Sequence, residues 1–246
     1  MKALILNSGL GSRMGEITKT HPKCMTEIDT NETIVSRQLK MLASKGIQEV
    51  VMTTGPFEES LKDYCTSLKL PINISFVNNP IYDQTNYIYS IYCAREQLDD
   101  SIVMMHGDLV FDDAVLTRAL ISPTSCMTVS STVPLPEKDF KAVVKDGKIQ
   151  KVGIEFFDDA MTAQPLYKLQ RKDWRVWLES IVQFCENGNT NCYAENALNS
   201  VSDRCNITTL DIRDLLCEEI DNVMDLQRVS ARIQGRNKGE SIGNER

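Results

Sequence analysis

Histidine is nearly absent from this chain: His21 and His106 are the only two in 246 residues. Eight cysteines are present (Cys24, Cys65, Cys93, Cys126, Cys185, Cys192, Cys205 and Cys217), but none form a Cys-x-x-Cys pair. A zinc site of ordinary spacing is therefore excluded, and the cysteines read as reduced, mostly buried thiols without a catalytic role. No apolar run approaches the roughly 20 residues that span a bilayer. The short apolar stretch after Lys2 is not a signal peptide. A basic surplus is also missing, since 27 Lys and Arg face 34 Asp and Glu for a net charge of −7. That balance opposes a nucleic-acid partner, whose phosphate backbone demands a basic face. The expectation is a cytoplasmic protein that binds neither membrane nor nucleic acid. No internal repeat is visible. What remains is ordinary globular composition, 42% hydrophobic and 25% charged, long enough for one large or two small domains.

The most informative stretch runs from 6 to 23. An apolar run, 3–6, leads into Asn7, Ser8, Gly9, Leu10, Gly11, Ser12 and Arg13, with Lys23 just after Pro22. Glycines let backbone N–H groups wrap an anion, and two converging cations would neutralise several phosphate oxygens. This is a polyphosphate loop. It is not a dinucleotide fingerprint, because Met14 stands where the third glycine belongs, and no Gly-Lys-Ser/Thr of a Walker A loop occurs.

Strand and helix signals alternate through the first half. Strands are expected over 3–6, 49–54, 72–77 and 102–106, with helices over 33–45 and 57–68 and a third helix capped by Asn86. This rhythm predicts an α/β fold, a Rossmann-like doubly wound mixed sheet that is mainly parallel. Ligands of such sheets bind beyond the carboxyl ends of the strands. The glycine loop and His106-Gly107-Asp108 both leave such ends. In the second half a strand over 126–133, a hairpin over 142–152 turning at Asp146-Gly147, and helices over 172–185 and 193–201 are expected. Short strands over 207–212 and 216–220 and a helix over 223–233 follow. The domain is placed at 1–233, and 234–246 reads as a polar tail, either disordered or the start of a linker to another domain. Oligomeric state is left open.

Asp108, after a buried strand and a glycine, is the first metal candidate. His106 reads as a strand-end residue packed beside the site. A phosphate monoester has a second pKa of about 6 and is already anionic at neutral pH, so its oxygen needs positioning more than a general base.

Gly9-x-Gly11-Ser12-Arg13 followed by Pro22-Lys23 resembles the bacterial nucleotidyltransferases, and in particular the cytidylyltransferases that activate phosphocholine or 2-aminoethylphosphonate. The likeness extends through Asn79-Pro80 to Tyr92, His106-Gly107-Asp108 and Glu219 to Leu226. Asn7-Ser8 replaces the two alanines usual in the family. The resemblance implies the nucleotide-diphospho-sugar transferase fold, CTP as donor, Mg²⁺ as cofactor and a small phosphonate or phosphate monoester as acceptor. It implies that Asp221 joins Asp108 as metal ligand, with Asp225 a first-turn helix charge. It further implies that Leu6 to Arg13, Lys23, Thr54, Gly55, Thr85, Asn86, Ser90 and Gly107 face the nucleotide. Arg13 would neutralise the leaving phosphates, and Lys23 the charge developing at the α-phosphoryl group.

On the acceptor side, a quaternary ammonium seeks aromatic faces and a primary ammonium seeks carboxylates. Asp139 could pair with such an amine and Lys141 with its phosphonate, with Tyr193 and Glu195 as further candidates; Phe140 or Tyr193 could also form an aromatic wall. These choices favour 2-aminoethylphosphonate over phosphocholine or a sugar phosphate. A non-catalytic nucleotide-sensing subunit is a rival reading, which the presence of Arg13, Lys23 and both aspartates opposes.

Overall fold

The first strand, β1 (Lys2–Asn7), buries Ala3, Leu4 and Ile5 completely. Side chains alternate across a strand; Leu4 and Leu6 join one apolar cluster, Ala3 and Ile5 another on the opposite face. A strand that is apolar on both faces belongs inside a sheet covered on both sides. The computed structural model describes residues 1–243 and places β1 in that position.

The remaining strands are β2 (Glu27–Asp29), β3 (Glu32–Thr33), β4 (Glu49–Thr54), β5 (Asn73–Asn78), β6 (Ile102–His106), β7 (Leu109–Phe111), β8 (Ser125–Ser130), β9 (Lys141–Lys145), β10 (Lys148–Gly153), β11 (Ala160–Leu169), β12 (Ile207–Asp211) and β13 (Cys217–Glu219). The helices are α1 (Ile34–Ser44), α2 (Glu58–Ser67), α3 (Tyr87–Ala94), α4 (Asp113–Ile121), α5 (Arg171–Glu186), α6 (Ala194–Asn199) and α7 (Val223–Gly243).

Nine strands form one mixed sheet in the order β5-β4-β1-β6-β11-β8-β12-β10-β9. The first four are parallel, as the alternating rhythm implies. The chain winds outward from β1 to β5, then returns to the other side of β1 as β6. This reversal opens a crevice at the carboxyl ends of β1 and β6. Helices α3, α5 and α6 cover one face through Ile88, Ile91, Trp174, Trp177, Ile181 and Leu198, whereas α1, α2 and α4 cover the other through Leu39, Leu42, Leu61, Val115 and Leu116. The two indoles are satisfied as well as buried: Trp174 Nε1 donates to Leu98 O and Trp177 Nε1 to Ala194 O, both at 2.9 Å. Helix α1 starts on a capping box in which Thr33 and Ser36 bond each other's backbone N–H.

Two stretches depart from the sequence expectations. Strand β11, unread in the sequence, inserts antiparallel between β6 and β8. Its Pro165 argues against a central strand, because proline cannot donate to a ladder. The structure resolves the conflict by placing Pro165 inside the register shift between Ala163 and Tyr167. The second is the last helix: α7 runs beyond the expected 223–233 and carries the backbone on as helix through Gly243, while 244–246 lie outside the described residues. Strand β8 also stops at Ser130, short of 133.

A small ladder matters more for the site than its size suggests. Strands β7 and β13 pair antiparallel with Glu219 opposite Leu109, and Ile220 N donates to Asp108 O at 3.0 Å. The C-terminal acids are thereby brought beside β6. Helix α7 packs over this ladder with Val229 and Ile233 against Val110, Leu216 and Ile220.

Candidate active site

Beyond β1 the chain turns at Gly11, whose φ of 64° is left-handed and whose missing Cβ would lie 3.2 Å from Lys23 Cβ. Glycine is needed here for both reasons. Gly11 O accepts from Met14 N and from the Thr18 hydroxyl, each at 2.9 Å, so the loop is held and not floppy. Across the crevice, a Cβ on Gly107 would fall 1.5 Å from Asn7 Oδ1. The two loops can approach only because residue 107 has no side chain.

Between them lies a cleft of about 300 Å³. Its walls include the expected 6–13, Lys23, Thr85, Asn86, Ser90, Gly107 and Asp108, together with Asn79, Tyr82, Tyr87 and His106. Thr54 and Gly55 are not among its lining residues. The Thr54 hydroxyl donates to Glu58 at 2.8 Å, and Gly55 packs against the Ser8 carbonyl, so this pair buttresses the loop from behind. Asn86 caps α3, while Asn79 Nδ2 donates to both Thr85 Oγ1 and Ser90 Oγ at 3.0 Å. The amide nitrogen of Asn7 and the hydroxyl of Ser8, at the cleft wall, are buried without hydrogen-bond partners.

Charge concentrates at one end. Lys23 Nζ lies 2.6 Å from Asp108 Oδ2 and 2.9 Å from Asp221 Oδ1, and Arg13 Nη2 reaches that same Asp221 oxygen at 2.8 Å. Lys23 thus reaches one acid 85 positions away and another 198 positions away. Burial works to lower the pKa of Lys23, but Asp108 and Asp221 outweigh it and hold the group above its usual value. Burial likewise opposes ionisation of Asp108, and Lys23 and His106 overcome it, keeping the carboxyl below its ordinary range. Asp225 caps the start of α7, accepting from Asp221 N at 3.1 Å and Asn222 N at 3.2 Å. Two carboxylates converging on one cationic position form a hard oxygen donor set, the kind that suits Mg²⁺. The residues fit the metal.

His106 sits beside this cluster with Nδ1 2.8 Å from Glu219 Oε1. Burial alone would lower its pKa; Glu219 and Asp108 reverse that and raise it to about 9. A charged imidazole at neutral pH is no general base. One atom each of His106, Asp108 and Glu219 lie within 4.8 Å of one another, so the group could hold a cation only with the imidazole deprotonated.

A second cluster lies further along the sheet. Glu195, 1% exposed, accepts from Tyr167 OH at 2.8 Å and from Tyr87 OH. The Tyr87 ring packs edge-on against His106 at 4.7 Å, and Tyr193 stands 5.9 Å from Tyr87 and 5.0 Å from Phe140. Asp139 is exposed as a residue, but its carboxyl is partly desolvated, and this together with the negative charges of Asp221 and Asp225 pushes its pKa up. Lys141 is placed differently from expectation. Its side chain is fully buried, with Nζ donating to Pro136 O at 2.6 Å and to Asp139 O at 3.2 Å. It therefore organises a loop and does not present its charge to a ligand. Tyr87, Tyr167 and Glu219 were not singled out as site residues in the sequence. Glu219 had a signal, standing two residues before Asp221; Tyr167 had none, because its strand was unread.

A glycine-loop cleft at the switch point of a doubly wound sheet, with two cations and two acids at its end, defines a nucleotide-handling α/β domain. The sequence matches the MobA-like NTP transferase domain over residues 3–140, and the chain belongs to that family. It is 31% identical over 163 residues to the CMP-5'-(3-aminopropyl)phosphonate synthase of Streptomyces rubellomurinus, covering 66% of this chain and 25% of that protein. It is 34% identical over 122 residues to a CTP:phosphoglutamine cytidylyltransferase of Campylobacter jejuni, 47% of each chain. The chain thus spans a quarter to about half the length of these relatives. A choline-phosphate cytidylyltransferase of Streptococcus pneumoniae is 28% identical over 174 residues, covering 68% of this chain and 73% of that one. The solved CTP:phosphocholine cytidylyltransferase from Streptococcus pneumoniae superposes with a TM-score of 0.75 at 18% identity, covering 94% of this chain and 98% of that chain, and shares the fold. Among the described residues no helix is long and apolar enough to cross a membrane, and all eight cysteines are free.

Proposed function

We propose that this chain is a Mg²⁺-dependent cytidylyltransferase that activates 2-aminoethylphosphonate with CTP. The observation that carries this reading is the convergence of Lys23, Asp108 and Asp221 at the end of the glycine-loop cleft. Asp108 and Asp221 would hold Mg²⁺, which supplies charge neutralisation for the triphosphate when bound. Lys23 and Arg13, which pair with these acids, exchange carboxylate for phosphate oxygens. The backbone N–H groups of 9–12 cradle the triphosphate. An acceptor oxygen attacks the α-phosphorus, the new P–O bond forms as the α–β bridge breaks, and pyrophosphate leaves. Arg13 neutralises the leaving phosphates and Lys23 the transferring group. No proton is removed from the acceptor, whose oxygen is already anionic at neutral pH.

The acceptor's ammonium end is read onto Glu195, Asp139 and Tyr193. Relatives that form phosphonate and phosphocholine conjugates support a small zwitterionic acceptor. Phosphocholine is the second reading, favoured by the Phe140–Tyr193–Tyr87 aromatic group. The test is pyrophosphate release with CTP and Mg²⁺, run in parallel on 2-aminoethylphosphonate, phosphocholine and a hexose 1-phosphate. Fastest release with the phosphonate supports the first reading, preference for phosphocholine selects the second, and release with none of them rejects both.

A further inference from the structure

Gln38 of α1 is 1% exposed, and its carboxamide nitrogen donates to two carbonyls: His106 O at 2.9 Å and Leu109 O at 2.8 Å. These carbonyls flank Gly107 and Asp108, the turn that carries the first metal carboxylate. Both N–H groups are used on acceptors, which fixes the orientation of the amide. The oxygen at its other corner, Oε1, is buried with no hydrogen-bond partner among the described residues. As a packing element this is a poor choice, because an apolar side chain of the same shape would bury no unpaired amide oxygen, although it would take this donor from both carbonyls. The pair of donated bonds is what the residue supplies.

The same helix also holds the opposite half of the site. Ile34 N donates to Thr26 O at 3.2 Å, and Thr26 N to Lys23 O at 3.0 Å, so the start of α1 is tied to the turn bearing Lys23. Four residues on, about 6 Å along the axis, Gln38 grips the turn bearing Asp108. Two other bonds restrain that turn, Gly107 N to Leu6 O and Ile220 N to Asp108 O, both at 3.0 Å and both between backbone groups.

We infer that Gln38 is a positioning residue: through the carbonyls of His106 and Leu109 it fixes where the Asp108 carboxylate stands relative to Lys23 and Asp221. The inference rests on the proposed nucleotidyl-transfer reading of the site. Gln38→Met keeps the length of the side chain while removing both donors and the unsatisfied oxygen. Two carbonyls lose their donor while one unpaired oxygen is relieved, so a melting temperature lowered by a few degrees at most is expected. Loss of a supporting partner should weaken Mn²⁺ binding, read by electron paramagnetic resonance, about ten-fold and lower kcat about ten-fold, with the KM for CTP within about two-fold. Unchanged Mn²⁺ affinity and kcat, with or without a lower melting temperature, overturns the inference. Gln38→Leu must show the same pattern, and it decides the matter should Gln38→Met fail to fold. Because Mn²⁺ affinity is measured without turnover, a wild-type chain inactive on every acceptor would count against the proposed reaction and leave this comparison standing.

Discussion

The proposed nucleotide side and the proposed acceptor side of this molecule are built by different means. On the proposed nucleotide side, one strand, one loop and a lysine ten residues further on supply the glycines and both cations, between Leu6 and Lys23. On the proposed acceptor side, Tyr87, Phe140, Tyr167, Tyr193 and Glu195 come from four separate segments joined by a largely buried network. Phosphate is the same in every nucleotide and can be met by a local device of glycines and cations. An acceptor head group is particular, and recognising it takes side chains collected across the sheet. Changes on the first side should therefore cripple the reaction whatever the acceptor, whereas changes on the second should alter the acceptor KM and leave CTP alone.

The severest break of that contrast is Lys23→Ala. Loss of one preorganised charge at a transferring group should reduce turnover about 10³-fold. Circular dichroism should show a retained fold, and pyrophosphate release should fall alike for every acceptor. Near-normal turnover would remove Lys23 from the reaction. Next comes Asp221→Asn, which leaves Lys23 with Asp108 alone. Half-saturating Mg²⁺ should rise about 10²-fold, with the acceptor KM little changed. A variant whose Mg²⁺ titration overlays wild type would show that Asp221 serves only its ion pairs with Lys23 and Arg13.

This division also governs what the sequence discloses. Gly9, Gly11, Arg13 and Lys23 are readable because a loop between strand and helix keeps its chemistry contiguous. The parallel strands are readable because they are short apolar runs that alternate with helical stripes. Asp221 is legible only through family resemblance, for nothing in its own neighbourhood says that β13 will pair with β7 and lay it beside Asp108. Strand β11 escaped notice because Pro165 and the polar Thr162, Gln164 and Lys168 hide its pattern, and Tyr167 went with it. Gln38 looks like any helix glutamine until the two carbonyls it serves are seen.

On the acceptor side, Glu195→Gln sharpens the comparison. The substitution keeps the shape and one oxygen acceptor for the tyrosines but removes a buried negative charge. A charge-assisted contact is worth about 1.5–3 kcal/mol. The KM for an ammonium-bearing acceptor should accordingly rise about ten-fold or more, that for CTP staying constant. Equal changes in both constants would mean that Glu195 supports the whole sheet edge and not the acceptor.

The smallest effect on turnover is expected from Lys141→Met, although Lys141 is charged and borders the acceptor side. Its ammonium bonds the carbonyls of Pro136 and Asp139 and lies 4.1 Å from the centre of the Phe157 ring. With these partners in place, no donor is aimed at a phosphonate. The substitution leaves buried carbonyls unsatisfied, at a cost of about 1–3 kcal/mol. At about 2–4 °C per kcal/mol for a chain of this size, the melting temperature should fall by several degrees. Because Phe140 and Asp139 adjoin the loop that Lys141 holds, a small rise in acceptor KM, within about two-fold, is the most its loosening should produce when the cost is only about 1–3 kcal/mol. A ten-fold rise in acceptor KM with an unchanged melting temperature would mean that Lys141 leaves its carbonyls to meet the acceptor, and the acceptor side would then share the nucleotide side's reliance on a mobile cation.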